Sequence, residues 1–176
     1  MYNVFKFTPQ LTRSHPPVIE HHRAEIEAFQ RHIAQDTVQK LLTLIALVLE
    51  LPEDALTNGH NYDDVSDCHL RYMIYHARSA AENAKFQNVY SKGHTDFGSL
   101  TLLFRQPIAA LQILAPDGSW KWVKPYPGSI TVNIADVAAV LDERVFEVER
   151  ASRGGAAGGS GAFGSVGVVV FFEAGA

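Results

Sequence analysis

The segment YSKGHTDFGSLTLLFRQPIAALQIL runs from Tyr90 to Leu114. It holds a histidine and an aspartate separated by one residue, His94 and Asp96. On a β-strand, residues two apart point to the same face, so these side chains would project together. An imidazole nitrogen and a carboxylate oxygen supply two of the three ligands of a two-histidine, one-carboxylate metal site. Taken alone the pattern is weak, because a surface or hydrogen-bonded His–Asp pair is the commoner alternative.

Composition indicates a soluble globular protein of one domain. The chain has 176 residues, of which 47% are hydrophobic and 19% charged. A formal net charge of −4 gives no basic surface for nucleic acid, and the single cysteine, Cys68, cannot form an internal disulfide. The apolar run Leu41–Leu51 is too short to span a membrane and contains Glu50. We expect a cytoplasmic protein that binds neither nucleic acid nor membranes and is monomeric when folded.

Residues 69–137 have the pattern of a β-protein core. Five short runs, several of them alternating, are separated by turn-rich segments; they are LRYMIYHA, SLTLLF, AALQIL, WKWVKP and SITVNIAD. The PDG sequence after Ala115 favours a hairpin turn, because proline presets φ and glycine accepts positive φ. Short antiparallel strands preceded by a helix predict an α+β, mainly β fold with a jelly-roll double sheet, the double-stranded β-helix of cupin-like proteins.

Residues 16–68 are predicted to form a helical support for this sheet. Apolar residues between Pro16 and Leu51 recur at spacings close to those of one long amphipathic helix, which ends before Pro52. The residues assigned to its buried face are Ile26, Phe29, Ile33, Leu41, Leu44, Ile45 and Val48. Residues 1–15 are interpreted as the remnant of a leader segment.

Residues 138–176 form a Gly/Ala-rich tail. The segment RASRGGAAGGSGAFGSVG has no periodicity, and its composition alone is typical of a flexible linker. We expect the tail to add no strand to the sheets. The jelly roll would then be incomplete and would expose strand edges, which favour aggregation.

The order of these motifs resembles the catalytic core of the Fe(II)- and 2-oxoglutarate-dependent dioxygenases of the isopenicillin N synthase-like class. The resemblance covers Val18 to Val137 and includes LRYMIYH, the H-x-D pair, LTLLF, and the run from LQIL through DGSWKWVKPYPGSITVNIAD. It implies that His94 and Asp96 are iron ligands and that Tyr75 helps to bind a carboxylate of 2-oxoglutarate. The implied cofactors are Fe(II), 2-oxoglutarate as cosubstrate, and O2.

The resemblance also implies a reaction. Oxidative decarboxylation of 2-oxoglutarate would be coupled to oxidation of a small organic substrate, with the cofactor carrying the difficult chemistry and the protein positioning it. Two departures bear on the binding of 2-oxoglutarate. Met73 stands where relatives often have asparagine. The family's arginine for the far carboxylate, a group suited to bidentate pairing, has no counterpart at its place.

The family's third iron ligand is also missing from this sequence. In relatives it is a histidine some way after the aspartate, but no histidine follows His94 here. Relatives carry a further N-terminal portion as well, so we expect the chain to be a fragment at both ends. As translated, it is expected to be inactive, because two protein ligands bind iron weakly.

A shifted reading frame in the tail would explain why the third iron ligand is missing. One permitted coding of Asp142–Arg153, read one base later, gives Thr-Asn-Gly-Tyr-Leu-Lys-Ser-Ser-Val-His-Arg, which resembles the family segment that holds the missing histidine. The histidine codon would then lie across the codons of Ala151 and Ser152. We infer a slip of the reading frame near Val137, with the tail as its out-of-frame product.

Three interpretations of function stay open at this point. The chain is an oxygenase family member that lacks part of its site, a non-catalytic binding protein that uses the remaining fold, or the product of a gene-model error. Whether it is an enzyme as translated is therefore uncertain from sequence. Its organic substrate is not identified by any residue pattern.

Overall fold

The computed structural model describes residues 1–9, 11–136, 151–154 and 165–172. The chain divides into two compact units. One unit consists of Met1–Tyr2 with Arg71–Val170, and the other of Asn3–Leu70 with Phe171–Ala176. Within the described part, no helix is long and apolar enough to cross a membrane.

The strands form two sheets, as expected for a jelly roll. In chain order they are β1 (Tyr2–Phe5), β2 (His69–Tyr75), β3 (Val89–His94), β4 (Leu100–Phe104), β5 (Leu111–Leu114), β6 (Trp120–Trp122), β7 (Ile130–Ile134), β8 (Ala151–Gly154) and β9 (Ser165–Phe172). The five-stranded sheet has the order β1-β2-β9-β4-β7, and the four-stranded sheet has the order β3-β8-β5-β6. Consecutive strands therefore alternate between sheets along much of the chain, which is the arrangement that a double-sheet roll requires.

The five predicted strand runs are confirmed, as is the turn between two of them. β5 and β6 form an antiparallel hairpin in which Leu114 lies opposite Trp120. Gly118 adopts a φ of 77°, which is accessible to glycine at no steric cost. Its amide donates to the carbonyl of Ala115 at 2.9 Å, closing the turn that the PDG sequence predicted.

The tail was expected to add no strand, and that expectation is wrong. β8 pairs with both β3 and β5, and β9 lies between β2 and β4. The sequence of β9, SVGVVVFF, is rich in β-branched and aromatic residues, which favour strands. The predicted slip near Val137, and residues 155–164 of the Gly/Ala-rich segment, lie outside the described residues.

The predicted single helix is a series of helical segments. These are α1 (Pro17–His21), α2 (Arg23–His32), a π-helix (Ile33–Val38) and α3 (Gln39–Val48). A further helix that the sequence did not predict, α4 (Ala80–Lys85), follows β2 and begins with a capping box between Ser79 and Glu82.

The π-helix changes which residues α3 buries. The buried positions along the segments are Ile26, Gln30, Ile33, Ala34, Val38, Leu42 and Ala46. Leu44 and Val48, assigned to the core by periodicity, are 57% and 73% exposed. A π turn holds one residue more than an α turn, so every later position rotates by one residue. The buried face accordingly moves from Leu41 and Ile45 to Leu42 and Ala46.

The unit that contains these helices has a buried polar network around Tyr62. Lys6 is 2% exposed, and its ammonium donates to the carbonyl of Tyr62 at 2.9 Å and to that of Asp64. The amide of Gln30 donates to the carbonyl of Val4 at 2.8 Å. Burial lowers the pKa of Lys6, while nearby Cys68 and the carboxylate of Asp64 act in the opposite direction. The buried ammonium of Lys6 and the buried amide of Gln30 thus both have hydrogen-bond partners, as buried polar groups require.

Tyr62 makes the stability of this unit sensitive to alkaline pH. Burial raises the pKa of the Tyr62 phenol to about 12, from 10.0. A pKa raised on folding gives stability that is complete below pH 10 and is lost as the pH rises towards 12, a change of about 3 kcal/mol. We expect Tyr62→Phe to lack this loss in denaturant titrations across that range. Tyr126→Phe, at a residue that is 59% exposed, is the control and should keep the wild-type slope.

Candidate metal centre

The structure brings His94 and Asp96 together at the end of β3. His94 is the last residue of this strand, so Asp96 lies in the turn before β4 and not on the strand as the sequence suggested. The Nε2 atom of His94 is nevertheless 3.5 Å from the Oδ1 atom of Asp96. The His94 side chain is 53% exposed and that of Asp96 only 15%, so the pair lies at the surface with its carboxylate mostly covered.

The hydrogen bond on the other side of the imidazole fixes its tautomer. The Nδ1 atom of His94 is 2.9 Å from the carbonyl oxygen of Lys92. A carbonyl can only accept, so Nδ1 carries the hydrogen and donates it. In the neutral ring, Nε2 then directs a lone pair towards the carboxylate. A backbone partner on the second nitrogen is how metal-binding histidines are usually oriented.

This arrangement fits two ligands of a divalent metal ion. The lone pair of a neutral Nε2 and a lone pair of the carboxylate oxygen can both be donated to one cation between them. Ligand atoms at about 2.0–2.2 Å from a metal ion, and at right angles to each other, are roughly 3 Å apart. The separation of His94 Nε2 and Asp96 Oδ1 is close to that value, and a nitrogen–oxygen donor set suits Fe(II).

Among the residues that the structure describes, no third histidine, cysteine, aspartate or glutamate joins His94 and Asp96 as a metal ligand. The neighbouring strand is β8, which runs antiparallel to β3. In their register His94 lies directly opposite Ala151. Residues opposite each other on antiparallel strands share a face of the sheet.

Arg71 is a charged residue near the pair that sequence reasoning missed. It lies on β2, two and four residues before Met73 and Tyr75, so the three share one face of that strand. Burial lowers the pKa of the Arg71 guanidinium, and the nearby Asp96 and Tyr75 act in the opposite direction. The alternation of LRYMIY could have placed Arg71 beside Tyr75 on the predicted strand. Its proximity to Asp96 depends on how the two sheets fold together.

Tyr75, the predicted contact for 2-oxoglutarate, lies against an aromatic and cationic cluster. Its ring meets that of Tyr90 edge-on, with centroids 5.9 Å apart. The guanidinium of Arg78 stacks on Tyr90 at 4.2 Å and on Phe86 at 4.8 Å, and it donates to the carbonyl of Val89 at 3.2 Å. Through Tyr90 these contacts fix Tyr75, at the end of β2, relative to β3, the strand that ends at His94.

A small cavity lies between β4, β5 and β7. Its volume is about 40 Å³, and Gln106, Leu111, Val123 and Thr131 are among the residues that line it. That is room for about three water molecules and far below the ~300–1,000 Å³ of typical sites for organic ligands. Gln106 is buried and its amide has no hydrogen-bond partner among the described residues, so ordered water is the fitting occupant.

Known proteins resemble this chain in sequence. Residues 66–150 match the family model of the 2OG-Fe(II) oxygenase superfamily. A 2-oxoglutarate-dependent dioxygenase of Didymella fabae is 32% identical over 120 residues, which are 68% of this chain and 35% of that protein. A 2-oxoglutarate-Fe(II) type oxidoreductase of Emericella nidulans is 32% identical over 110 residues, which are 60% of this chain and 30% of that protein. The chain thus spans about a third of the length of these relatives.

Solved structures share the fold. A 2OG-Fe(II) oxygenase family protein of Caulobacter crescentus superposes with a TM-score of 0.80 at 18% identity, covering 99% of this chain and 56% of that one. An oxygenase of Shewanella oneidensis superposes with a TM-score of 0.74 at 20% identity, covering 99% of this chain and 62% of that one. At these identities the likeness shows the jelly-roll fold, and the sequence relatives carry the family. The chain belongs to the 2OG-Fe(II) oxygenase superfamily, whose members use Fe(II), 2-oxoglutarate and O2.

Proposed function

We propose that this chain derives from an oxygenase that oxidises a small organic substrate at an iron centre held by His94 and Asp96. The observation that carries the proposal is the geometry of this pair. The Nε2 atom of His94, with its tautomer set by Lys92, lies 3.5 Å from the carboxylate of Asp96. Iron bound there would supply oxidation of the substrate coupled to decarboxylation of 2-oxoglutarate; the protein residues bind and orient the reactants.

Tyr75 is proposed to contact a carboxylate of 2-oxoglutarate. A phenol can donate a hydrogen bond to a carboxylate oxygen, and the half-buried ring is fixed by its edge-on contact with Tyr90. Arg71 adds positive charge on the same face of β2, which favours binding of an anionic cosubstrate there. The support for this assignment is the placement of both residues on one strand face near Asp96.

We infer that the third iron ligand has been lost from position 151 by a slip of the reading frame. One argument from the sequence and one observation of the structure support this inference. One permitted coding of the tail, read one base later, places a histidine across the codons of Ala151 and Ser152. The pairing of β3 with β8 does not depend on the choice of codons, and in its register Ala151 lies directly opposite His94. A histidine at that position would share a sheet face with His94.

The chain as translated is proposed to be inactive or nearly so. Its metal would have two protein ligands instead of three, and the family's arginine for the far carboxylate of 2-oxoglutarate has no counterpart at its place. The alternative is a non-catalytic protein that keeps the fold and binds a partner or ligand. The pairing of β8 and β9 into the two sheets favours a folded chain and so keeps this alternative open.

The experiment compares succinate release by two proteins supplied with Fe(II), ascorbate, O2 and 2-oxoglutarate. One is the chain as translated, and the other is expressed from the same gene with one base removed near the codon of Val137. We expect the first to stay at the level of its His94→Ala variant. The frame-restored protein should turn over 2-oxoglutarate, and its own His94→Ala variant should not.

Turnover by the chain as translated that disappears in His94→Ala would contradict the inactivity proposal. Absence of turnover in both proteins, each with a cooperative thermal transition, would favour the non-catalytic alternative. Sequencing the transcript across the codons of Asp136–Asp142 separates a true slip from a gene-model error, because only the error predicts an in-frame message.

A further inference from the structure

The end of β3 and the turn that follows it carry His94 and Asp96, the metal pair. Three hydrogen bonds connect this turn to the end of β7. The hydroxyl of Thr95, the residue between His94 and Asp96, donates to Oδ2 of Asp136 at 2.7 Å. The amide of Asp136 donates to the carbonyl of Asp96 at 3.0 Å. Three residues farther along the turn, the carbonyl of Ser99 accepts a hydrogen bond from the amide of Ala135, also at 3.0 Å.

These bonds join the two sheets at the metal pair. β3, which ends at His94, belongs to the four-stranded sheet, whereas Asp136 follows β7 of the five-stranded sheet. The far end of the turn is already fixed, since Ser99 is 1% exposed and Leu100 pairs with Ile134. At the near end the Thr95–Asp136 bond is a side-chain link between the segment that holds His94 and Asp96 and the opposite sheet.

We propose that Thr95 and Asp136 are positioning residues that fix the separation of His94 and Asp96 for metal binding. This inference rests on the proposed function, because it assumes that the pair binds a metal ion. Thr95 anchors the segment between the two ligands through its side chain, and Asp136 anchors the main chain of Asp96. Without these anchors the carboxylate could rotate with its turn, and the ordering cost would be borne when the metal binds.

The conservative variants distinguish this role from a simple contribution to folding. Thr95→Val keeps the shape of the side chain but loses the donor, whereas Thr95→Ser keeps the donor. Asp136→Asn keeps a carbonyl oxygen that can accept from Thr95 while removing the charge, and Asp136→Ala removes the acceptor altogether. If Asp136 acted through its charge on the metal ion, Asp136→Asn would weaken Mn(II) binding as much as Asp136→Ala does.

The measurement is Mn(II) affinity, followed by electron paramagnetic resonance, together with the thermal transition of each variant. We expect Thr95→Val and Asp136→Ala to weaken Mn(II) binding about tenfold, the scale on which partners outside the ligand shell affect metal sites. Thr95→Ser and Asp136→Asn should stay within about twofold of wild type, on the same scale. Ser119→Ala is the matched control, because it breaks a Ser–Asp hydrogen bond in the β5–β6 turn.

Equal Mn(II) affinity in Thr95→Val and wild type would overturn this inference alone. The same holds if Ser119→Ala weakens binding as much as Thr95→Val, since loss of affinity would then follow general destabilisation. If the wild-type chain binds no Mn(II) that depends on His94, both this inference and the proposed function fail.

Discussion

A histidine in place of Ala151 is expected to tighten Mn(II) binding by the chain at least about tenfold, because even partners outside the ligand shell change metal affinity by about 10- to 100-fold. The expectation follows from the register of β3 and β8, in which Ala151 lies opposite His94. Directly opposite residues on antiparallel strands have Cβ atoms about 4.5–5.5 Å apart, a distance that two imidazoles and one metal ion can bridge. Ala151→His would therefore complete a two-histidine, one-carboxylate set.

The neighbouring position supplies the control. Ser152 lies opposite Gln112 of β5, and successive residues of a strand point to opposite faces of a sheet. Ser152→His adds the same imidazole to the same strand, but on the face away from His94. We expect its Mn(II) affinity to stay within about twofold of the starting chain, well below the gain expected of a new ligand.

Three outcomes would contradict the placement of the third ligand at position 151. In the first outcome, Ala151→His and Ser152→His raise the Mn(II) affinity equally, which would indicate non-specific chelation by an added histidine. In the second, neither variant raises the Mn(II) affinity although His94→Ala still lowers it, which would put the third ligand elsewhere. Alternatively, the gain in Ala151→His could survive a second substitution, His94→Ala, which would show that the two positions do not share one ion.

The β core was predictable from sequence because its signals are local. Alternating runs and the PDG turn locate β4, β5, β6 and β7 without any tertiary information. β8 and β9 were missed because composition and tertiary context disagree in the tail. Its glycines suggest a linker, yet strands β3, β5, β2 and β4 offer backbone partners that a single-sequence pattern does not show.

The helical region shows a different limit of sequence reasoning. Periodicity correctly gave Ile26 and Ile33 as buried, but it assigned Leu44 and Val48 to the same face. The π-helix between α2 and α3 adds one residue to a turn and shifts the face that follows. Nothing in the residue types of Ile33–Val38 marks that extra residue. A strict helical period therefore predicted the wrong buried positions in α3.

At the candidate site, the pair of His94 and Asp96 was predicted from the sequence, but the residues around the pair were not. His94 and Asp96 were found from a two-residue spacing, although Asp96 lies in a turn and not on the strand. Arg71 and Asp136 are separated from the pair by many residues, so only the fold brings them to it. The pattern could suggest that Arg71 shares a strand face with Tyr75, but not that Asp136 accepts a hydrogen bond from Thr95.

Metal binding by His94 and Asp96 is tested by a titration of the chain with Mn(II). The chain, His94→Ala and Asp96→Ala are compared at equal concentration by electron paramagnetic resonance. His32→Ala, which removes an exposed histidine from α2, controls for adventitious binding.

We expect weak but measurable binding by the chain, since two ligands remain. Each site variant should bind at least about tenfold more weakly, because loss of a direct ligand exceeds the effect of a partner outside the shell. His32→Ala should match the unaltered chain. An unchanged Mn(II) affinity in both His94→Ala and Asp96→Ala would contradict the assignment of these residues as the metal pair.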